Sequence, residues 1–125
     1  MDFKLDQYND VMVISVYLKR ATLKHAGEFK EFAFALINSG AQKVIVDLGM
    51  SEYIDSTFLG GLVAALKKVT LSKGDLRLVF SSKASMIFEL TGMSKVFKVH
   101  STLEEALEGF NVAVDQKNTL NWQKD

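Results

Sequence analysis

Lys43-Val44-Ile45-Val46-Asp47-Leu48, the loop Gly49 to Tyr53, and then Ile54-Asp55-Ser56-Thr57-Phe58-Leu59-Gly60 form the stretch on which the fold turns. The first six residues are dominated by β-branched and apolar side chains, the composition of a short strand. From Ser56 the spacing changes: Leu59, Leu62, Val63, Leu66 and Val69 fall on one helical stripe. Lys67 and Lys68 lie near the end of that helix, where cations suit the helix dipole. A strand running through a short loop into a helix is the repeating unit of alternating α/β folds.

Working outward, Phe3 to Tyr8 alternates apolar and polar residues, Asn9-Asp10 supplies a turn, and Val11 to Leu18 is nearly continuous in apolar residues. That predicts a hairpin with a well-buried second strand. Thr22 is placed to cap a helix carrying Phe29, Phe32, Ala33, Leu36 and Ile37, with Gly40 as its stop. Beyond the central helix, Ser72-Lys73-Gly74 is a turn and Leu76 to Phe80 a strand. Ser81 or Ser82 then caps a short helix through Leu90, stopped by Gly92, and Val96 to Val99 forms a last strand. Ser101, with Glu104 three residues on, reads as a capping box for a helix turning Leu103, Ala106, Leu107 and Phe110 inward. The order β-β-α-β-α-β-α-β-α predicts an α/β domain: a mixed sheet of about five strands, right-handed crossovers, and about four covering helices. Residues 1–112 make one domain and residues 113–125 a polar C-terminal tail, in which Trp122 is a candidate anchor.

At 125 residues the chain is the size of one domain, and 48% hydrophobic residues suffice for a core. Fifteen basic residues balance fifteen acidic ones, which removes the simplest argument for nucleic-acid or anionic-membrane binding. There is no cysteine, hence no disulfide and no thiolate chemistry, and His25 and His100 alone do not suggest a metal site. The acidic N-terminus lacks the pattern of a signal peptide, and no apolar run approaches a membrane span. The expectation is a cytoplasmic protein without metal or cofactor, a monomer or weak dimer.

Asp55, Ser56 and Thr57 place a carboxylate and two hydroxyls where a loop enters a helix. Such residues serve as N-caps, contributing about 1 kcal/mol each by accepting from free backbone N–H groups. The same position can host a modification: a phosphate on Ser56 would face those donors and the positive end of the helix. It would also set about −1.5 to −2 charges beside Asp55, enough to disrupt an interface fitted to a neutral hydroxyl. An enzyme using Ser56 as nucleophile needs a base within reach, and neither histidine belongs to a recognisable motif. The nucleophile elbow and both glycine-rich nucleotide motifs are absent from the sequence. A binding module, not an enzyme, is expected.

Asp47-Leu48, Ile54-Asp55-Ser56-Thr57, Leu59 and Gly60 resemble the pattern of the STAS family: a strand ending in Asp-Leu, a loop, then Asp-Ser-(Ser/Thr)-Gly-Leu-Gly at a helix start. Leu90-Thr91-Gly92-Met93, Val96 to Val99 and Thr102-Leu103-Glu104-Glu105-Ala106-Leu107 are similar to the family's downstream segments. The resemblance is to the anti-sigma factor antagonist branch, and it implies partner switching in transcription. It makes Ser56 the acceptor for an anti-sigma factor serine kinase, an ATPase of histidine-kinase-like fold, with a serine phosphatase resetting the switch. Asp55, Ser56, Thr57, Phe58 and Gly60 become the implied partner-binding residues. Gly60 and Gly61 would allow close backbone approach, or simply serve helix–sheet packing.

Two positions depart from the family pattern. Phe58 replaces a glycine, and either plugs the core or stands beside Ser56 as an interface anchor. Lys19-Arg20-Ala21-Thr22 replaces an acidic Gly-Glu-(Leu/Ile)-Asp segment, reversing the charge offered to a partner. The alternative these allow is a divergent STAS signalling module that binds another protein without a phospho-switch.

Overall fold

The computed structural model describes residues 2–81 and 85–118. The elements are β1 (Phe3–Tyr8), β2 (Val11–Val16), β3 (Arg20–Ala21), α1 (Leu23–Asn38), β4 (Lys43–Leu48), β5 (Tyr53–Ile54) and α2 (Ser56–Leu71). They continue with β6 (Asp75–Phe80), α3 (Met86–Leu90), β7 (Lys98–His100), α4 (Leu103–Glu108) and β8 (Lys117–Asn118). Six strands form one sheet in the order β7-β6-β4-β2-β1-β8. β2, β4, β6 and β7 run parallel, while β1 is antiparallel to β2 and β8 antiparallel to β1.

The central strands are buried on both faces, and alternation sorts their side chains between two cores. Ile14, Val16, Val44, Val46, Leu48, Leu76, Leu78 and Phe80 meet α1, α2 and α3 in the larger core. Val11, Val13, Ile45 and Val79 point the other way, where Ala106 and Leu107 of α4 and Val112 cover them. The first core is aromatic at its centre: Phe29 packs on Phe3 and Phe58, and Phe88 on Phe80 and Phe97.

Helix ends follow local chemistry. Thr22 caps α1 by accepting from the Lys24 amide. The other end closes as predicted at Gly40, whose φ of 113° lets its N–H reach Ile37 O while the Ala41 N–H reaches Leu36 O. α2 ends in the same way, but Lys73 takes the left-handed position at φ 65°. Gly74 follows because a side chain there would collide with the Gln42 carbonyl and Val69.

Several boundaries differ from the expectations. The capping box of α4 is shifted by one residue: Thr102 Oγ1 accepts from the Glu105 amide and the Glu105 carboxylate from the Ser101 amide. α3 begins at Met86, with Ser85 in the cap position, and the Ser81 hydroxyl donates instead to the Ser51 carbonyl. Ser82 lies outside the described residues. The last parallel strand is Lys98–His100 rather than Val96 to Val99, because Met93–Lys95 first makes a 3-10 turn. The sixth strand comes from the polar C-terminal stretch, where Lys117 and Asn118 pair with Tyr8 and Gln7. Trp122 lies outside the described residues.

Candidate functional site

The loops after β2 and β4 meet beside the start of α2, and backbone bonds lock them together. Lys19 O accepts from the Glu52 and Tyr53 amides, and Ala21 O from the Asp55 amide. Between these bonds β3 and β5 pair in parallel, setting Arg20 opposite Tyr53 and Ala21 opposite Ile54. Ser51, the buried polar residue of the described chain, donates its hydroxyl to Leu18 O at 2.7 Å. A polar side chain without such a partner would be costly to bury, so this bond is what allows the loop to tuck inward.

Asp55 is the joint of the site. In an extended conformation at φ −89°, it caps α2, its Oδ1 accepting from the Phe58 amide at 2.8 Å. Its Oδ2 accepts from the Leu23 amide, also at 2.8 Å. Leu23 is the first residue of α1, so one carboxylate satisfies an orphan donor at the start of each of two helices. The favourable dipole ends of both helices converge on this negative charge.

Ser56 and Thr57 follow at the first two helical positions and are exposed. Their amides have no intrahelical acceptor at those positions. Phe58 is fully buried, its ring 5.1 Å from that of Phe29. Of the two roles expected for Phe58, the structure shows the core plug: it packs between α1 and α2, and its place among the implied partner-binding residues is corrected. It lies four residues before Leu62 on the buried stripe. Gly60 is exposed with open space where a Cβ would stand, so close approach does not require it. Gly61 is the packing glycine, turned to Ala26 and Phe29 of α1. The structure thus gathers Asp55, Ser56, Thr57 and Gly60 at the start of α2 and removes Phe58 from the surface.

Sequence reasoning missed three participants: the Leu23 amide, the Ser51 hydroxyl, and the pair formed by Arg20 and Tyr53. The Arg20 guanidinium lies 4.2 Å over the Tyr53 ring. Behind the loop, Asp47 accepts from the Gly49 amide at 2.9 Å, and burial pushes its carboxyl pKa above the ordinary value against that bond. Among the described residues no group of three or more His, Asp or Glu is placed to hold a metal ion. No described helix is long and apolar enough to cross a membrane.

A mixed sheet with a capped helix start presenting an exposed hydroxyl beside paired loops defines a class of small α/β modules. The STAS domain model matches residues 4–106, and the chain belongs to the STAS family. It is 33% identical over 101 residues to a Thermotoga maritima protein named "Putative anti-sigma factor antagonist", covering 79% of this chain and 89% of that one. The crystal structure of a "putative anti-sigma factor antagonist" from that organism superposes with a TM-score of 0.77 at 29% identity, over 86% of this chain and 92% of the other. The structure of SpoIIAA, an anti-sigma factor antagonist, in its unphosphorylated form shares the fold at a TM-score of 0.73 and 18% identity, covering 86% and 95% of the two chains.

Proposed function

We propose that this protein is an anti-sigma factor antagonist that regulates transcription by partner switching in the cytoplasm, as a monomer or weak dimer. In this reading Ser56 is phosphorylated by an anti-sigma factor serine kinase of histidine-kinase-like fold, and a serine phosphatase restores it. The observation that carries the reading is the exposed Ser56 hydroxyl at the first position of α2, directly after a carboxylate already satisfied by backbone. A phosphate there would meet the amide end of a 16-residue helix. It would change the surface charge without entering the core, so binding would change while the fold remained. Asp55 orders the site, and Thr57 and Gly60 flank the acceptor on the exposed side. The relative from Thermotoga maritima supports the role by its name.

Mass spectrometry of the protein from its native cells should find phosphate on Ser56. Ser56→Asp should lose binding to the serine kinase that Ser56→Ala retains, and equal binding by both would overturn the switch. The basic loop at Lys19 and Arg20 favours a second reading, a divergent module acting by binding alone. Absence of phosphate under every growth condition would select it.

A further inference from the structure

We infer that the loop platform beside Ser56 docks against an acidic protein surface, through a fixed cationic anchor made by Arg20 and Tyr53. This inference rests on the partner-binding reading above and names the chemistry of the partner.

The platform exposes large apolar side chains. Leu23 is 67% exposed, Met50 61% and Tyr53 43%, and all three belong to the segments tied together by β3, β5 and the Asp55 carboxylate. Three cations stand among them. Lys19, Arg20 and Lys24 are exposed, and none of them forms an ion pair among the described residues. Asp55, Glu52 and Glu28 carry the opposite charge nearby, but both Asp55 oxygens are engaged by backbone amides, so the exposed cations keep their donors free for a partner.

Arg20 is also held in place. Its backbone is fixed in the β3–β5 pair and its guanidinium rests on the Tyr53 ring, so little side-chain freedom remains to be lost on binding. A planar cation held over an aromatic, in loops that also expose Leu23 and Met50, is the composition of an interface hot spot. Its complement is a carboxylate set in an apolar rim. Ser56 lies three residues after Tyr53, so a phosphate there would place negative charge close to the cation that the partner's carboxylates seek. Repulsion between phosphate and partner then explains why the modified form would let go.

The test uses the intact protein and each histidine-kinase-like serine kinase of the source organism, purified, with affinity measured at low and high salt. Arg20→Glu should raise Kd about tenfold or more at low ionic strength, mainly through slower association, and the effect should shrink as salt screens it. Tyr53→Ala should weaken binding in the same direction, with thermal stability unchanged in both variants. Reversing an acidic residue of the bound kinase to lysine should restore binding of Arg20→Glu. Tight binding by wild type that ignores charge reversal and salt would overturn this inference and leave the proposed function standing. Failure of wild type to bind any of these kinases would overturn the proposed function itself, and the inference with it. Capture by vesicles of anionic lipid that Arg20→Glu abolishes, without kinase binding, would assign the cations to a membrane and overturn the proposal.

Discussion

Asp55→Ala separates a carboxylate that holds the fold from one that merely greets a partner. Losing an N-cap costs about 1 kcal/mol. The second bond, from the Leu23 amide to a charged oxygen, is worth about 1.5 kcal/mol, the low end for charged acceptors because the group is half-exposed. The sum is about 2–3 kcal/mol, which at this chain length lowers Tm by about 10 °C. Asp55→Asn should cost roughly half as much, since an amide oxygen still caps Phe58 while its nitrogen cannot accept from Leu23. Leu23→Pro supplies the control. Leu23 is the first residue of α1, where proline is tolerated, and Thr22 before it is extended at φ −130° and ψ −176°, as a residue before proline requires. The proline ring takes the place of the N–H, so the variant removes the bond and pushes Asp55 Oδ2 aside, a cost shared by the single and double variants that carry it. With Leu23→Pro present, Asp55→Asn should cost almost nothing more. Urea denaturation of the four proteins yields the coupling, and amide exchange at Leu23 reports the bond directly. A cost below about 0.5 kcal/mol for Asp55→Ala, or an Asp55→Asn cost unchanged by Leu23→Pro, would refute the two-helix joint.

Phe58→Ala should destabilise by about 3–5 kcal/mol, as a cavity beside Phe29 requires, and chemical denaturation should register it even where partner affinity per folded molecule is unchanged. Lys73→Gly should stabilise by about 0.5–1 kcal/mol, because lysine holds a left-handed position that glycine accepts freely; a rise in Tm checks it. His100 should make stability fall in acid. Burial first, then the Arg77 guanidinium, hold its pKa below the ordinary 6.5, with Glu105 opposing and Lys98 adding, and its Nε2 has no hydrogen-bond partner. For a depressed folded pKa the contribution is complete above the unfolded value and is lost as pH falls through the folded one. Denaturation across that range should show a steeper loss of stability toward acid in wild type than in His100→Phe.

Much of this architecture was legible in residue types and spacing. The β-branched runs at Val11 and Val44 gave their strands away, and Gly40 marked its helix end because few other residues take φ 113°. The capping box slid by one residue because Ser101-Thr102 and Glu104-Glu105 offer two equally spaced pairs, and only tertiary packing chooses between them. β3 and β5 were invisible, since two residues carry no periodicity and their pairing spans a separation of 33 positions. Phe58 carried a readable signal: its spacing to Leu62, Ala65 and Val69 is that of a buried helical face. The second role of Asp55 left no trace in sequence, because its partner is a backbone amide and any residue but proline supplies one.

The sheet ends in β7, three residues long, and β8, two residues long, each bearing a lysine. β8 covers only Gln7 and Tyr8 of β1, and β7 only Arg77 to Val79 of β6, so pairing at both margins is brief. At the loops beside Ser56 a visitor meets side chains instead. That kind of contact can form and dissolve many times without any backbone bond being exchanged, which is what the proposed exchange of partners requires.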